Sequence, residues 1–185
     1  MTFEEFALLV RTRRTQLVMD QERDVEMALV QQLCEAASFA PNHQQTWPWL
    51  FGVFTGEGRR GLGSVTADAM QRNGDSEIKV AKTRTKYLRS PVLLVAGTAP
   101  GETELQTVEN RDAVAAGIQT LLLGATVMDL GSFWSSCPKG ANDDVARHCG
   151  WPAGTHVTAM IYLGWPTRTL PDRERPAPAI SYFVQ

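Results

Sequence analysis

Three stretches of this chain carry side chains whose types and spacing can do chemistry. Arg13-Arg14-Thr15 sets two guanidinium groups beside a hydroxyl. Such a trio can hold a phosphate through bidentate, charge-assisted hydrogen bonds. It also reads as a solvated helix end, where basic side chains complement the helix dipole. The loop from Pro41 to Trp49 concentrates donors and acceptors in Asn42, His43, Gln44, Gln45 and Thr46, beside the indoles of Trp47 and Trp49. Amides offer both roles to the edge of a polar heterocycle, or they cap their own backbone. Gly131-Ser132-Phe133-Trp134-Ser135-Ser136 follows an apolar helix. A glycine turn into a short strand bares backbone N–H groups beside an indole and hydroxyls; the plainer reading is a helix stop and a core strand.

Other chemistries find no residues. The chain has no GxxxxGK[ST], GxGxxG or GxSxG motif, and no HExxH. His43 is one of three histidines and has no ligand partner at metal spacing, so no metal site is expected. Cys34, Cys137 and Cys149 are far apart and form no CxxC pair; they read as buried, inert thiols in a reducing, cytoplasmic setting. A net charge of −2 argues against a nucleic-acid surface. No apolar run approaches the 18 or so residues of a membrane span. The acidic start, Met-Thr-Phe-Glu-Glu, is unlike a signal or transit peptide. At 185 residues and 43% hydrophobic composition, the whole of 1–185 is expected to form one domain.

The elements that must position these residues alternate in type. Thr2 and Glu5 fit a capping box, and Phe3, Phe6, Leu9 and Val10 follow at helical spacing. A second helix is expected from Asp24 to the residues before Pro41, with Val25, Ala28, Leu29, Leu33 and Ala36 on one face. Strands are expected at 49–55, 91–98, 132–137 and 157–163. Polar helices fill 57–89, with a break near Asn73-Gly74. The stretch 110–130 is apolar on nearly every side, which predicts burial in a core or between subunits. The Pro- and Arg-rich tail, 171–178, leads into Ile180-Ser-Tyr-Phe-Val184, a strand-like run with no neighbour left to pair with.

Four motifs in this order resemble the nitroreductase family of FMN oxidoreductases, in its short, minimal subgroup. They are Arg13-Arg14-Thr15; Ala40-Pro41-Asn42 through Trp47-Pro48-Trp49; Gln119 in a Leu-rich helix ending at Leu130-Gly131 and followed by Trp134; and Leu163-Gly164-Trp165-Pro166. The resemblance implies an α+β fold, a mixed central sheet flanked by helices, with the C-terminal strand exchanged between subunits of an obligate homodimer. It implies FMN at the subunit interface. Arg13, Arg14 and Thr15 would hold its phosphate and ribityl chain. Phe39, Pro41, Asn42, His43 and Gln44 would reach over from the second subunit, and Trp134, Ser135 and Ser136 would lie along the cofactor. Gly124, Ala125, Thr126, Val127, Met128 and Asp129 would meet a nicotinamide nucleotide.

The implied activity passes electrons from NAD(P)H through the flavin to a nitroaromatic or quinone-like small molecule, in two half-reactions. The cofactor carries such chemistry, so no side-chain nucleophile is expected. Two other readings share the fold: a flavin-binding or sensing protein without turnover, and a structural dimer without cofactor. The chain departs from the family pattern twice. Gln16-Leu17-Val18 stands where the family has a basic residue near the flavin N1/O2 edge, and Trp47 stands where it has the glutamine of Gln-Pro-Trp.

Overall fold

The structure, a computed structural model, describes residues 1–171 and 173–183. The element order is α1 (Phe3–Thr12), α2 (Met27–Ala37), β1 (Trp49–Phe54), α3 (Gly56–Arg72), α4 (Glu77–Lys86), β2 (Val92–Thr98), α5 (Glu104–Val127), β3 (Gly131–Ser135), α6 (Asn142–His148) and β4 (His156–Gly164). The strands form one sheet in the order β1-β2-β4-β3, and every pairing among them is antiparallel. Its one parallel contact among the described residues is the isolated bridge of Thr15 to Ser132, which lays the segment after α1 along the outer edge of β3.

Period-two alternation explains how two layers of helices share this sheet. Val92, Leu94 and Ala96 point to the side covered by α2 and α5, and Leu93 and Val95 to the side covered by α3 and α6. Every residue of β2 is therefore buried, and this two-sided cover is why its sequence is a continuous apolar run. On β4 the alternation slips. A bulge opposite Ala96 and Gly97 makes Thr158 an extra residue, so Val157 joins Met160 and Tyr162 on one side while Ala159, Ile161 and Leu163 face the other.

The capping box forms: the Glu5 amide donates to Thr2 Oγ1 at 3.2 Å and the Thr2 amide to Glu5 Oε2 at 2.7 Å. Yet α1 buries none of its residues, and Phe3 and Leu8 are 77% and 60% exposed. α2 begins at Met27, not Asp24, because the chain before it is held against the sheet's end by the Met19–Pro166 bridge and by the amide of Asp20 on Trp165 O. α5 begins six residues before the expected stretch, with Thr103 as its cap. It is not buried all round: Val114, Ile118, Leu121 and Ala125 face the core, whereas Ala116, Gln119, Thr120 and Val127 lie exposed. Residues 180–183 pair with no strand of their own chain, and Val184 lies outside the described residues.

α5 crosses α2 closely at Gly117. A methyl group there would stand 2.5 Å from Ala37 O and 2.7 Å from Trp49 Nε1. Gly117→Ala is therefore expected to destabilise the protein by about 1–3 kcal/mol, the usual range for overpacking, despite alanine's higher helix propensity. Urea denaturation checks this; a stability equal to or above that of the wild type would show that the helices separate freely.

Candidate functional site

The end of α1 and the tail build the first half of the site. Arg13 caps α1 and leaves the helix with its amide on Leu9 O at 3.1 Å. Arg14 turns back to donate to the Arg11 carbonyl. The tail returns to this point and adds Arg173 and Arg175. Together with Arg13, Arg14 and Thr15 they line a cavity of about 300 Å³ in which, among the described lining residues, every ionisable side chain is an arginine. A wider hollow beside it, about 820 Å³, is edged by Arg11, Leu8 and Gln119 of α5. The Arg13 guanidinium is held below its ordinary range, first by burial and then by the charges of Arg175 and Arg14. Like charges held this close favour an anion between them. Arg173 and Arg175 are absent from the sequence-based site; the Arg-x-Arg-Pro spacing of the tail was their signal, and its extended form hid where it would land.

The second half is β3. The Gln16 amide donates to Ser132 O at 2.9 Å, so the Arg13-Arg14-Thr15 segment is fastened to the strand that carries Trp134 and Ser135. Phe133 points to one side of the sheet and stacks on Tyr162, with centroids 5.2 Å apart. Trp134 therefore points to the other, and it is 38% exposed. The Ser135 hydroxyl donates to Ser136 O at 3.4 Å. Buried Gln16, in the stretch without a basic residue, is committed locally: Nε2 donates to Arg168 O at 3.0 Å and Oε1 accepts from the Val18 amide at 3.1 Å.

The stretch expected to meet a nicotinamide nucleotide is divided. Ala125 is fully buried, and Gly124 lies so close to Leu33 that a methyl group would stand 2.8 Å from Cδ2. Met128 packs on the core and Val127 is exposed. Thr126 and Asp129 face a third cavity, about 580 Å³, with Gln16, Gly131 and Arg168. A ligand along this stretch would meet Thr126 and Asp129, not Ala125.

The loop before β1 sits apart from all of this. Phe39, Pro41, His43 and Gln44 are exposed and Asn42 is half-buried. β1 and β3 are opposite edges of the sheet, three inter-strand spacings or roughly 14 Å apart. The register also puts Trp49, Thr98 and His156 at one end and Gly131 and Gly164 at the other. One chain therefore brings Arg13, Arg14 and Thr15 together with the tail arginines, ties Thr15 and Gln16 to Ser132 of the strand that carries Trp134 and Ser135, and leaves Phe39 to Gln44 at a different corner.

The thiols are unsuited to nucleophilic work. Burial pushes Cys137 up to about 11 and Cys34 and Cys149 to about 12, against an ordinary 9.0. Among the described residues no His, Cys, Asp and Glu cluster could hold a metal ion, and no helix is long and apolar enough to cross a membrane.

The chain thus forms an antiparallel sheet between helical layers, with an arginine cluster beside the edge strand β3. The family model described as "Nitroreductase family" matches residues 10–165, and the chain belongs to that family. Among curated relatives, the Escherichia coli K12 protein named "Putative NAD(P)H nitroreductase YdjA" is 23% identical over 83% of this chain and 86% of its own. The Bacillus subtilis 168 protein YfhC, of the same description, is 26% identical over 96% of this chain and 92% of its own. A nitroreductase-like protein of Bacillus cereus superposes with a TM-score of 0.80 at 24% identity, covering 96% of this chain and 94% of that one. A Bacteroides fragilis nitroreductase with bound FMN gives 0.75 at 17%, covering 97% and 98%.

Proposed function

We infer that the protein is an FMN-dependent oxidoreductase that takes electrons from NAD(P)H and gives them to an aromatic acceptor, a nitroaromatic or a quinone, in two successive half-reactions. The observation that carries this reading is the cavity lined by Arg13, Arg14, Thr15, Arg173 and Arg175 and fastened to β3. Its mutually repelling guanidiniums fit a phosphate monoester, and the half-exposed Trp134 beside Ser135 and Ser136 offers a flat surface and polar groups for the rest of the cofactor. When bound, FMN supplies hydride acceptance and donation, chemistry that no side chain here provides. The chain's own work is to bind the phosphate, orient the ring along β3 and shape the acceptor's approach.

The separation of the loop from the arginines supports a homodimer in which Phe39 and Pro41 to Gln44 complete the partner's site. The exposed apolar residues of α1, together with Phe39, Trp47, Tyr182 and Phe183, support the same assembly. β3 has its outer edge partly covered by Thr15 and Gln16, whereas β1 pairs with β2 alone among the described strands. The free edge of β1 is thus the natural acceptor for a partner's residues 180–184. In this reading residues 1–185 act as one unit, in the reducing cytoplasm where three free thiols are stable.

The absorption spectrum of the purified protein, with and without NAD(P)H, tests the central claim. A flavin spectrum bleached by NAD(P)H and restored by a quinone is expected. A flavin that no nicotinamide bleaches favours a binding or sensing protein, and a colourless protein that takes up no added FMN overturns both. Trp47→Gln tests the acceptor side. Trp47 is 65% exposed and offers an aromatic face worth about 0.5–1.5 kcal/mol in stacking. Its loss should change kcat/KM for aromatic acceptors about threefold to tenfold, with FMN affinity unmoved. Unchanged kinetics with several acceptors would remove Trp47 from the pocket.

A further inference from the structure

The loop between α2 and β1 is held in an unusual shape. Gln44, Gln45 and Trp47 all have left-handed backbone angles, with φ of 58°, 53° and 50°. Non-glycine residues visit this region uncommonly, and for a side chain as large as tryptophan it is an outlier. Pro48 disfavours the right-handed helical alternative for the residue before it. Something outside the loop must keep it there.

A relay of hydrogen bonds does so. Asn110, on α5, is 2% exposed and uses both ends of its amide. Its Nδ2 donates to Ala99 O at 3.2 Å, and its Oδ1 accepts from the Thr46 hydroxyl at 2.5 Å. That hydroxyl accepts in turn from Asn42 Nδ2 at 3.0 Å, and Asn42 Oδ1 accepts from the Trp47 amide at 2.8 Å. A second tie runs from Gln106 of α5, whose Nε2 donates to Gln44 Oε1 at 2.9 Å while its own Oε1 accepts from the Glu102 amide at 2.6 Å. The Thr46 hydroxyl, 2.5 Å from Asn110 Oδ1 and also 3.4 Å from Asn42 Oδ1, is among the described residues the single link through which the buried amide holds the loop's shape. The same relay presents the exposed Gln44 and Trp47 outward.

We propose that Asn110 is a positioning residue, which through Thr46 and Asn42 locks the loop in its left-handed form and so sets recognition of the aromatic acceptor. This rests on the reading above, in which the loop shapes the acceptor's approach. Thr46→Val keeps the size of the side chain and removes the hydroxyl; Thr46→Ser keeps the hydroxyl. Asn110→Leu keeps the size of the side chain and removes both ends of the amide.

The test uses the FMN-loaded protein, a quinone and a nitroaromatic as acceptors, and hydrogen exchange at the Trp47 amide. Thr46→Val is expected, at saturating FMN, to raise acceptor KM at least fivefold while kcat changes less than threefold, and to exchange the Trp47 amide at least tenfold faster. Thr46→Ser should restore both, and Asn110→Leu should follow Thr46→Val. Wild-type acceptor KM in Thr46→Val overturns the proposal, as does a loss that Thr46→Ser fails to rescue. If the wild type turns over no acceptor, the functional reading fails by itself. Amide exchange then still decides the relay, and an unchanged Trp47 amide in Thr46→Val overturns it.

Discussion

Arg13→Ala should lose at least tenfold in FMN affinity, and Arg13→Ala with Arg175→Ala a hundredfold or more. A hydrogen bond to a charged group contributes about 1.5–3 kcal/mol, and each 1.4 kcal/mol is tenfold in affinity. Arg13 is half-buried and lies close enough to Arg175 and Arg14 for their charges to hold its own pKa down. Removing one guanidinium therefore takes away a phosphate partner and relieves some repulsion in the empty cavity. Both effects weaken binding of the anion relative to the free protein. Arg60→Ala is the control, because Arg60 is spent on Glu57 at 3.0 Å on α3. Flavin fluorescence titration of the apoprotein reads all three. If Arg13→Ala and the double variant bind FMN as the wild type does, the cavity holds something else and the functional reading loses its main support.

Deleting residues 179–185 should convert a stable dimer into a weakly associating or aggregating chain. Ile180, Tyr182 and Phe183 are 64%, 80% and 94% exposed within their own chain, a poor arrangement unless a partner covers them. On the other side of the argument stands β1, Trp-Leu-Phe-Gly-Val-Phe, whose outer edge is apolar and unpaired among the described strands. An open apolar edge is a template for another strand, so loss of the tail should bare it. An obligate interface exceeds about 2,000 Å² and survives micromolar dilution. Sedimentation of the full chain and the truncated chain at micromolar concentration checks this. A full-length folded monomer that binds flavin, or a truncated dimer of undiminished stability, would refute the exchange.

Much of the fold was legible in the sequence for local reasons. Thr2 and Glu5 three positions apart announce a capping box, and the box forms. The apolar run at 92–98 announces a strand covered on both faces, and β2 is that strand. Asn73-Gly74 announces the break between α3 and α4, and Gly74 takes a positive φ there. The start of α2 was misread because tertiary contacts set it, the chain before it being tied down at Met19 and Asp20; the start of α5 was misread because its local cap, Thr103 accepting from the Gln106 amide, was passed over. Of 110–130, one chain buries the face of Val114, Ile118, Leu121 and Ala125 and leaves Ala116 and Val127 exposed. Composition records how many faces of a helix are apolar, but the covering elements decide which of them is buried.

The site divides along the same line. Arg13, Arg14 and Thr15 stand side by side in sequence, so their shared chemistry was readable without a fold. Arg173 and Arg175 lie some 160 residues further on, and only the return of the tail to α1 brings their charges to the same cavity. Asn110 carried no signal at all as a helical polar residue; it acquires a role because α5 passes beneath Thr46. Residue types and their spacing thus determined most of the elements, the adjacent Arg13, Arg14 and Thr15, and the family. The joining of distant segments was decided by the tertiary structure, because hydrogen bonds and like-charge repulsion act over a few ångströms of space and are indifferent to separation along the chain.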